Sequence, residues 1–217
     1  MVSRYIIPSM MCANFENLKA EVQNLDVAGA DIFHIDIMDG SFVPNFGMGL
    51  QDLEAIRATT QKPVDVHLMV TDPGGYIDLF AKAGVNIIYV HPETDPHPAR
   101  TLDKIRKEGI KVGLAINPGT SLSTVEPLLN LVDYLMIMTV NPGFAGQSYL
   151  EYVNDKIIEA TELATRYKFE IMVDGAISPE KIEYLGGIGV SGFVLGTSAL
   201  FGKNEEYSTL IDRYKKV

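Results

Sequence analysis

The stretch FHIDIMDGSFVPN, residues 33–45, combines a strand pattern with polar side chains. Its first, third and fifth residues favour a β-strand, and the positions between them hold His34, Asp36 and Met38. Because strand side chains alternate with period two, these three point to the same face. Burial of an unpaired imidazole and carboxylate costs free energy, so packing alone would favour valine or leucine. The pattern therefore predicts a chemical role for this face.

Short β-branched runs alternate with longer amphipathic stretches along the whole chain. The predicted strands cover residues 5–8, 31–38, 64–69, 86–91, 111–116, 134–138, 170–173 and 192–195. The predicted helices cover residues 14–27, 49–59, 75–83, 98–108, 122–131, 150–167, 179–185 and 205–215. Strict alternation implies parallel strands with right-handed crossovers, so we predict an α/β fold, a (β/α)8 TIM barrel forming a single domain over residues 1–217. A doubly wound open sheet is the alternative, but no GxGxxG motif follows the first strand.

Composition narrows the possible partners. The chain of 217 residues is 47% hydrophobic and has no Pro-, Ser- or Gly-rich linker. Its net charge of −10 argues against nucleic acid, because broad phosphate binding needs clustered Lys and Arg. The single cysteine, Cys12, excludes an internal disulfide. Since we find neither a signal-peptide segment nor a membrane span, we expect a soluble cytoplasmic protein without a membrane partner.

Polar and sulfur-containing residues follow the predicted strands. If the barrel closes, they surround one mouth. They are Ser9, His34, Asp36, Met38, His67, Met69, His91, Glu93, Asn117, Met138, Thr139 and Asp174. Two histidines with two carboxylates match the ligands of a divalent transition metal, and the methionines would provide an apolar lining over a bound ligand. Hydrogen-bonded core histidines, capping or ion-paired aspartates and packing methionines are the alternatives, and His97 is expected at the surface.

Three glycine-containing loops follow the sixth, seventh and eighth strands. They read NPGFAGQ (141–147), DGA (174–176) and GTS (196–198). Small residues allow backbone amides to approach an anion, and barrels commonly bind phosphate at the loops after the seventh and eighth strands. Ordinary turn chemistry explains each loop alone. Together they predict a phosphorylated substrate extended between a metal and these loops.

Several of these motifs resemble the ribulose-phosphate 3-epimerase family. They are HIDIMDGSFVPN, HLMV (67–70), MTVNPGFAGQ (138–147), VDGAI (173–177), the IIPSMM start and GTSALF (196–201). The resemblance implies a (β/α)8 barrel with one divalent metal ion, Zn²⁺ being favoured over Mn²⁺, Co²⁺ or Fe²⁺. It assigns the metal ligands as His34, Asp36, His67 and Asp174. It also implies a homo-oligomer, a dimer or a hexamer.

The resemblance further implies how the site works. Asp36 and Asp174 match the acid/base pair that inverts C3 of a ketose phosphate through a cis-enediolate. We predict substrate contacts from residues around the mouth and in the glycine loops: Ser9, His67, Met38, Met69, Met138, Gly143, Phe144, Ala145, Gly146, Gly175, Ala176, Gly196 and Thr197.

The glycine loops depart from the usual PGFGGQ, DGG and GS motifs of the family. Ala145, Ala176 and Thr197 replace smaller residues there. Ala145, HPET (91–94) and GTS followed by LF resemble the D-allulose-6-phosphate 3-epimerase branch. We therefore slightly favour conversion of D-allulose 6-phosphate to D-fructose 6-phosphate over D-ribulose 5-phosphate to D-xylulose 5-phosphate. A decarboxylase or aldolase is disfavoured because no lysine ends a strand, and a non-catalytic sugar-phosphate-binding protein is the alternative of another class.

Overall fold

The computed structural model describes residues 4–217. Eight parallel strands form one sheet in the order β1-β8-β7-β6-β5-β4-β3-β2. The strands are β1 (Tyr5–Pro8), β2 (Phe33–Met38), β3 (Val64–Met69), β4 (Ile87–Val90), β5 (Lys111–Ile116), β6 (Tyr134–Met138), β7 (Glu170–Asp174) and β8 (Gly192–Leu195). A parallel bridge between Ser9 and His34 joins the two ends of the sheet. The predicted single-domain TIM barrel is confirmed.

Helices connect successive strands and surround the barrel. They are α1 (Leu18–Val27), α2 (Leu50–Arg57), α3 (Ile77–Lys82), α4 (Pro98–Lys107), α5 (Leu122–Val125), α6 (Val153–Tyr167), α7 (Pro179–Gly187) and α8 (Tyr207–Lys216). Within residues 4–217, none of them has the length and apolar character needed to cross a membrane. The predicted domain and the segment searched for a signal peptide both begin at residue 1. Residues 1–3 lie outside the described residues.

Two predicted helices contain 3₁₀ segments, and the others differ from the observed helices by one to three residues at one or both ends. The helix predicted over residues 122–131 ends at Val125 and continues as a 3₁₀-helix over Glu126–Leu131. Pro127 explains the change, because it has no N–H for an α-helical hydrogen bond. The helix predicted from Asn14 begins as a 3₁₀ turn, in which the Asn14 side chain accepts from Glu16 N at 3.1 Å.

The interior of the barrel below the site is closely packed. Alternate strand residues project inward and form a buried cluster that includes Ile7, Tyr89, Met136 and Met172. Gly113 of β5 leaves the space that Tyr89 fills, because a Cβ at Gly113 would lie 2.2 Å from Tyr89 Cδ1. The mouth therefore lies above a closely packed interior rather than above an open channel.

Candidate metal and substrate site

Four polar side chains meet at the carboxyl end of the barrel. His34 and Asp36 project from β2, His67 from β3 and Asp174 from the end of β7. The register places Asp36 beside His67 on neighbouring strands. One ligand atom from each of the four residues lies within 4.8 Å of the others. The alternation of strand side chains thus brings the predicted ligand set together.

Asp36 lies at the centre of this group. Its Oδ1 atom is 3.3 Å from both His34 Nε2 and His67 Nδ1. The Ser9 hydroxyl donates a hydrogen bond to Asp36 Oδ2 at 2.9 Å, which fixes the orientation of the carboxylate. Asp174 Oδ2 completes the group at 4.0 Å from His34 Nε2 and 3.7 Å from His67 Nδ1.

The donor set fits a divalent transition metal. His34 Nε2 and His67 Nδ1 are buried and make no hydrogen bond within residues 4–217. Buried polar nitrogens without partners are costly, and coordination would satisfy both of them. Two imidazole nitrogens with two carboxylates are typical ligands of Zn²⁺ and of neighbouring transition metals.

In each histidine, the ring nitrogen that faces away from the cluster also has a buried neighbour. His34 Nδ1 lies 2.6 Å from Asp65 Oδ1, and His67 Nε2 lies 2.8 Å from His91 Nε2. Sequence reasoning did not identify Asp65 as part of the site. A signal was available, because Asp65 precedes His67 by two residues and shares its face of β3.

The pKa values of the two aspartates are shifted in opposite directions. Burial opposes ionisation of Asp36, but contacts with His34 and His67 outweigh it and hold the pKa of Asp36 well below its ordinary value. Burial, together with the negative charge of Asp36, raises the pKa of Asp174 to about 7. Burial also disfavours a charged His34, yet Asp65 and Asp36 raise its pKa well above the ordinary value. The site thus places one readily ionised carboxyl beside one that is partly protonated at neutral pH.

A cavity that is open to solvent lies above this group. All predicted substrate-contact residues except one line it, namely Ser9, Met38, Met69, Met138, Gly143, Phe144, Ala145, Gly146, Gly175, Ala176, Gly196 and Thr197. His67 is the exception, since it is fully buried and contacts Asp36 without lining the cavity. Its contact with substrate stays a prediction.

The glycine-loop side of the cavity is shaped by backbone. Gly175 has φ +118°, and a Cβ there would lie 2.5 Å from Val140 Cγ2. Thr139 Oγ1 donates to Gly175 O at 2.5 Å and joins the ends of β6 and β7. Asn45 Nδ2 donates to Gly143 O at 2.7 Å and ties the loop after β2 to the loop after β6. Sequence reasoning did not identify the contact of Asn45, which lies 98 residues from Gly143 along the chain.

The lining suggests how an anion would be held. No Lys or Arg occurs among the described residues that line the cavity. An anion at the glycine loops would therefore meet backbone N–H groups and the hydroxyls of Thr197 and Ser198. This chemistry suits a small phosphate group bound locally.

Solved structures of other proteins share the fold. A 3-hexulose-6-phosphate synthase superposes with a TM-score of 0.68 at 15% identity, covering 98% of both chains. A phosphoribosyl anthranilate isomerase from Thermus thermophilus gives a TM-score of 0.68 at 12% identity, again covering 98% of both chains. At these identities the similarity shows the barrel architecture alone.

Sequence comparison is more specific. The chain is 39% identical to the ribulose-phosphate 3-epimerase of Bacillus subtilis over 203 residues, which covers 92% of this chain and 93% of the relative. It is 39% identical to the chloroplastic ribulose-5-phosphate-3-epimerase of Arabidopsis thaliana over 204 residues, covering 92% of this chain and 72% of the relative. The model of the ribulose-phosphate 3 epimerase family matches residues 5–201. This chain belongs to the ribulose-phosphate 3-epimerase family, whose members are carbohydrate-phosphate isomerases.

Proposed function

We propose that this protein is a metal-dependent 3-epimerase of a phosphorylated ketose. The observation that carries the proposal is the pair Asp36 and Asp174, which share one cluster with two histidines but have pKa values shifted in opposite directions. Inversion at a carbon next to a carbonyl needs one group that accepts a proton and one that donates a proton. Two carboxyls in environments that separate their pKa values provide this combination.

Each aspartate has a distinct role in the proposed reaction. One carboxylate removes the C3 proton, and the electron pair of the broken C–H bond passes into a cis-enediolate. The other carboxyl delivers a proton to C3 from the opposite face, so a new C–H bond forms with inverted configuration. In the cation-free site at neutral pH, Asp36 is ionised, whereas Asp174 with its pKa of about 7 is partly protonated. After this inversion the two carboxyls have exchanged protonation states, and proton exchange with water restores their starting states.

His34, Asp36, His67 and Asp174 would hold the metal ion, with Zn²⁺ favoured. When bound, a divalent cation supplies Lewis-acid polarisation of the carbonyl and stabilises negative charge on oxygen. Ser9 acts with this group by orienting Asp36 through its 2.9 Å hydrogen bond.

Apolar residues would protect the planar intermediate from water. Met38 and Met69 pack with Val43 in one buried cluster beside the cavity, and Met138 lies in the barrel interior. All three methionines line the cavity. Exclusion of water strengthens electrostatic interactions with the developing charge.

D-Ribulose 5-phosphate, with D-xylulose 5-phosphate as product, is the substrate best supported by the names of the curated relatives. D-Allulose 6-phosphate, the substrate slightly favoured from the sequence, receives no support from the comparisons. It is kept as a second candidate because Ala145, Ala176 and Thr197 all line the cavity and alter the space available near the glycine loops.

Conversion and C3 proton exchange, measured with both sugars side by side, test the proposal. The enzyme would be assayed after removal of metal by a chelator and again after supply of Zn²⁺, Mn²⁺ or Co²⁺. We expect metal-dependent conversion of D-ribulose 5-phosphate with the higher kcat/KM. A higher kcat/KM for D-allulose 6-phosphate would transfer the proposal to the six-carbon sugar. Binding of the sugars without exchange would instead identify a non-catalytic sugar-phosphate-binding protein.

We also propose that the protein forms a symmetric homo-oligomer, as the family resemblance implies. Several large apolar side chains are exposed, among them Phe46 at 79% and Tyr152 at 61%. Analytical ultracentrifugation would identify a dimer or a hexamer, and a monomer at micromolar concentration would contradict the proposal.

A further inference from the structure

The two histidines of the candidate metal site differ in what contacts the ring nitrogen that faces away from the cluster. His34 Nδ1 meets a carboxylate directly, since Asp65 Oδ1 lies 2.6 Å away. His67 Nε2 meets a second imidazole, because His91 Nε2 lies 2.8 Å away. The far side of that imidazole, His91 Nδ1, lies 3.4 Å from Glu93 Oε2. A carboxylate therefore lies beside each histidine, at hydrogen-bond distance for His34 and beyond one additional ring for His67. His91 Nδ1 makes no hydrogen bond within residues 4–217, and Glu93 Oε2 is the carboxylate oxygen that faces it.

The position of Glu93 is fixed from the opposite side. Its Oε1 atom accepts hydrogen bonds from Asn117 N at 2.8 Å and from Thr120 Oγ1 at 2.5 Å. The loop that carries these donors is anchored by Lys156, whose Nζ donates to Asn117 O at 2.9 Å and to Pro118 O at 2.7 Å. Since a backbone N–H can only donate, one oxygen of Glu93 is committed to this loop and the other faces His91.

The direction of the hydrogen bonds follows from the geometry of the cluster. His67 Nδ1 is the ring atom that faces the candidate ligands, and it needs a free lone pair to bind a cation. The proton between the two rings then belongs to His67 Nε2, and His91 Nε2 accepts it. The proton of His91 in this arrangement is on Nδ1, which faces Glu93 Oε2, a carboxylate oxygen that can only accept.

We propose that Glu93, acting through His91, is a positioning residue that fixes the tautomer of His67, so that Nδ1 keeps its lone pair available for a divalent cation. This inference rests on the metal centre of the proposed function. It assigns roles to two residues outside the ligand set, and it extends the support of the metal site to the loop after β5. Partners that fix the tautomer of a ligating histidine generally strengthen metal binding.

The substitution Glu93→Gln tests the direction of this chain of contacts with little change of shape. Asn117 N–H requires an acceptor, so the Gln oxygen would face the loop and its NH₂ group would face His91. His91 Nδ1 would then accept, His91 Nε2 would carry the proton, and His67 would hold its own proton on Nδ1. We expect Zn²⁺ affinity, measured by competition with a chromophoric chelator, to fall at least tenfold.

Two further variants separate tautomer control from a general loss of charge or packing. Glu126→Gln removes a carboxylate that accepts from Arg166 Nη1 at 3.2 Å and Tyr167 OH at 2.9 Å, outside the metal cluster. We expect it to bind Zn²⁺ like the unsubstituted protein. Thr120→Val removes one donor to Glu93 but keeps the carboxylate, so its affinity should change less than that of Glu93→Gln. Equal affinity of Glu93→Gln and Glu126→Gln would overturn the proposal.

Nitrogen-15 NMR of the Zn²⁺-loaded, unsubstituted protein gives a readout that does not depend on how any variant folds. We expect the proton of His91 on Nδ1, and a proton on His91 Nε2 would overturn the proposal. The experiment also separates the two levels of inference. Absence of Zn²⁺ binding by the unsubstituted protein would refute both the metal centre and this inference. Normal Zn²⁺ binding and sugar conversion with an unaffected Glu93→Gln variant would refute this inference alone.

Discussion

One side of the cavity is formed mainly by side chains, and the other is formed mainly by backbone. On the side of β2 and β3, side chains make the site, and His34, Asp36 and His67 lie almost completely buried in mutual contact. On the side of the loops after β6, β7 and β8, backbone makes the site, with Gly143 and Gly175 both at φ +118°. The first side has donor atoms for a cation, and the second offers peptide groups to an anion.

Under the proposed function, the two sides would bind the two ends of a polar substrate. Buried charges need partners close by, so the metal side is a dense network in which Ser9 and Asp65 contact the candidate ligands. Peptide groups need only the correct backbone course, so the loop side depends on glycine and on a few supporting contacts such as Thr139 to Gly175. Substitutions should therefore affect chemistry on the first side and loop geometry on the second.

The largest expected effect is that of Asp174→Asn. The amide cannot exchange a proton with C3 and is a poorer metal ligand, so we expect kcat with D-ribulose 5-phosphate to fall by roughly 10³-fold. Asp212→Asn, on an exposed part of α8, is the matched control and should retain full activity. C3 proton exchange measured in parallel reports the chemical step itself. Activity of Asp174→Asn within tenfold of the unsubstituted protein would exclude Asp174 as an acid/base group.

Gly175→Ala tests the loop side with the second-largest effect. The new Cβ would lie 2.5 Å from Val140 Cγ2 and 2.9 Å from Val140 N, at a φ that alanine rarely adopts. We expect the free energy of unfolding, measured with urea, to fall by roughly 2–4 kcal/mol. Gly109→Ala is the control for strain alone, because Gly109 also has positive φ but no atom within 4 Å of the added Cβ. Equal losses in both variants would contradict a close contact at Gly175.

Sequence predicted that the candidate metal ligands lie close together because the information there is local. Strand alternation alone placed His34 and Asp36 on one face, and β3 repeats the pattern with His67. Asp65 obeys the same rule and was overlooked because it lies at the second position of its strand rather than at the mouth. The positions of strand ends were therefore more informative than the identity of any single side chain.

The remaining features depend on contacts that sequence spacing does not show. The hydrogen bond between Asn45 and Gly143 joins loops 98 residues apart, and the bridge between Ser9 and His34 exists only because the barrel closes. The support of His67 by His91 likewise depends on how neighbouring strands align. Pro127 is different, because its missing N–H can be read from the sequence, although the helix predicted over residues 122–131 did not allow for it.

The dependence of metal affinity on pH should show a smaller, graded effect on the metal side. Asp174, with its pKa of about 7, holds a proton in the metal-free protein at lower pH, and coordination requires its release. Zn²⁺ affinity should therefore rise with pH and fall by up to about tenfold for each unit below pH 7, since one proton competes with the metal. His34, whose pKa is also raised, would steepen the dependence. Chelator competition between pH 5.5 and 8 measures it, and equal affinity throughout would show that Asp174 is already ionised.

The smallest expected effect is that of Ala176→Gly on the loop side. Ala176 has φ +53°, a left-handed conformation that costs alanine roughly 1 kcal/mol and glycine almost nothing. Glycine adds about 0.5 kcal/mol of conformational entropy to the unfolded chain, so the net gain in the free energy of unfolding should be roughly 0.5 kcal/mol. Urea unfolding measures this gain, and KM values for the five- and six-carbon sugars, determined on the same preparation, show whether the methyl group affects substrate choice. A loss of stability would mean that the Ala176 methyl group makes packing contacts worth more than its strain, and an unchanged KM ratio would remove Ala176 from the argument for the six-carbon substrate.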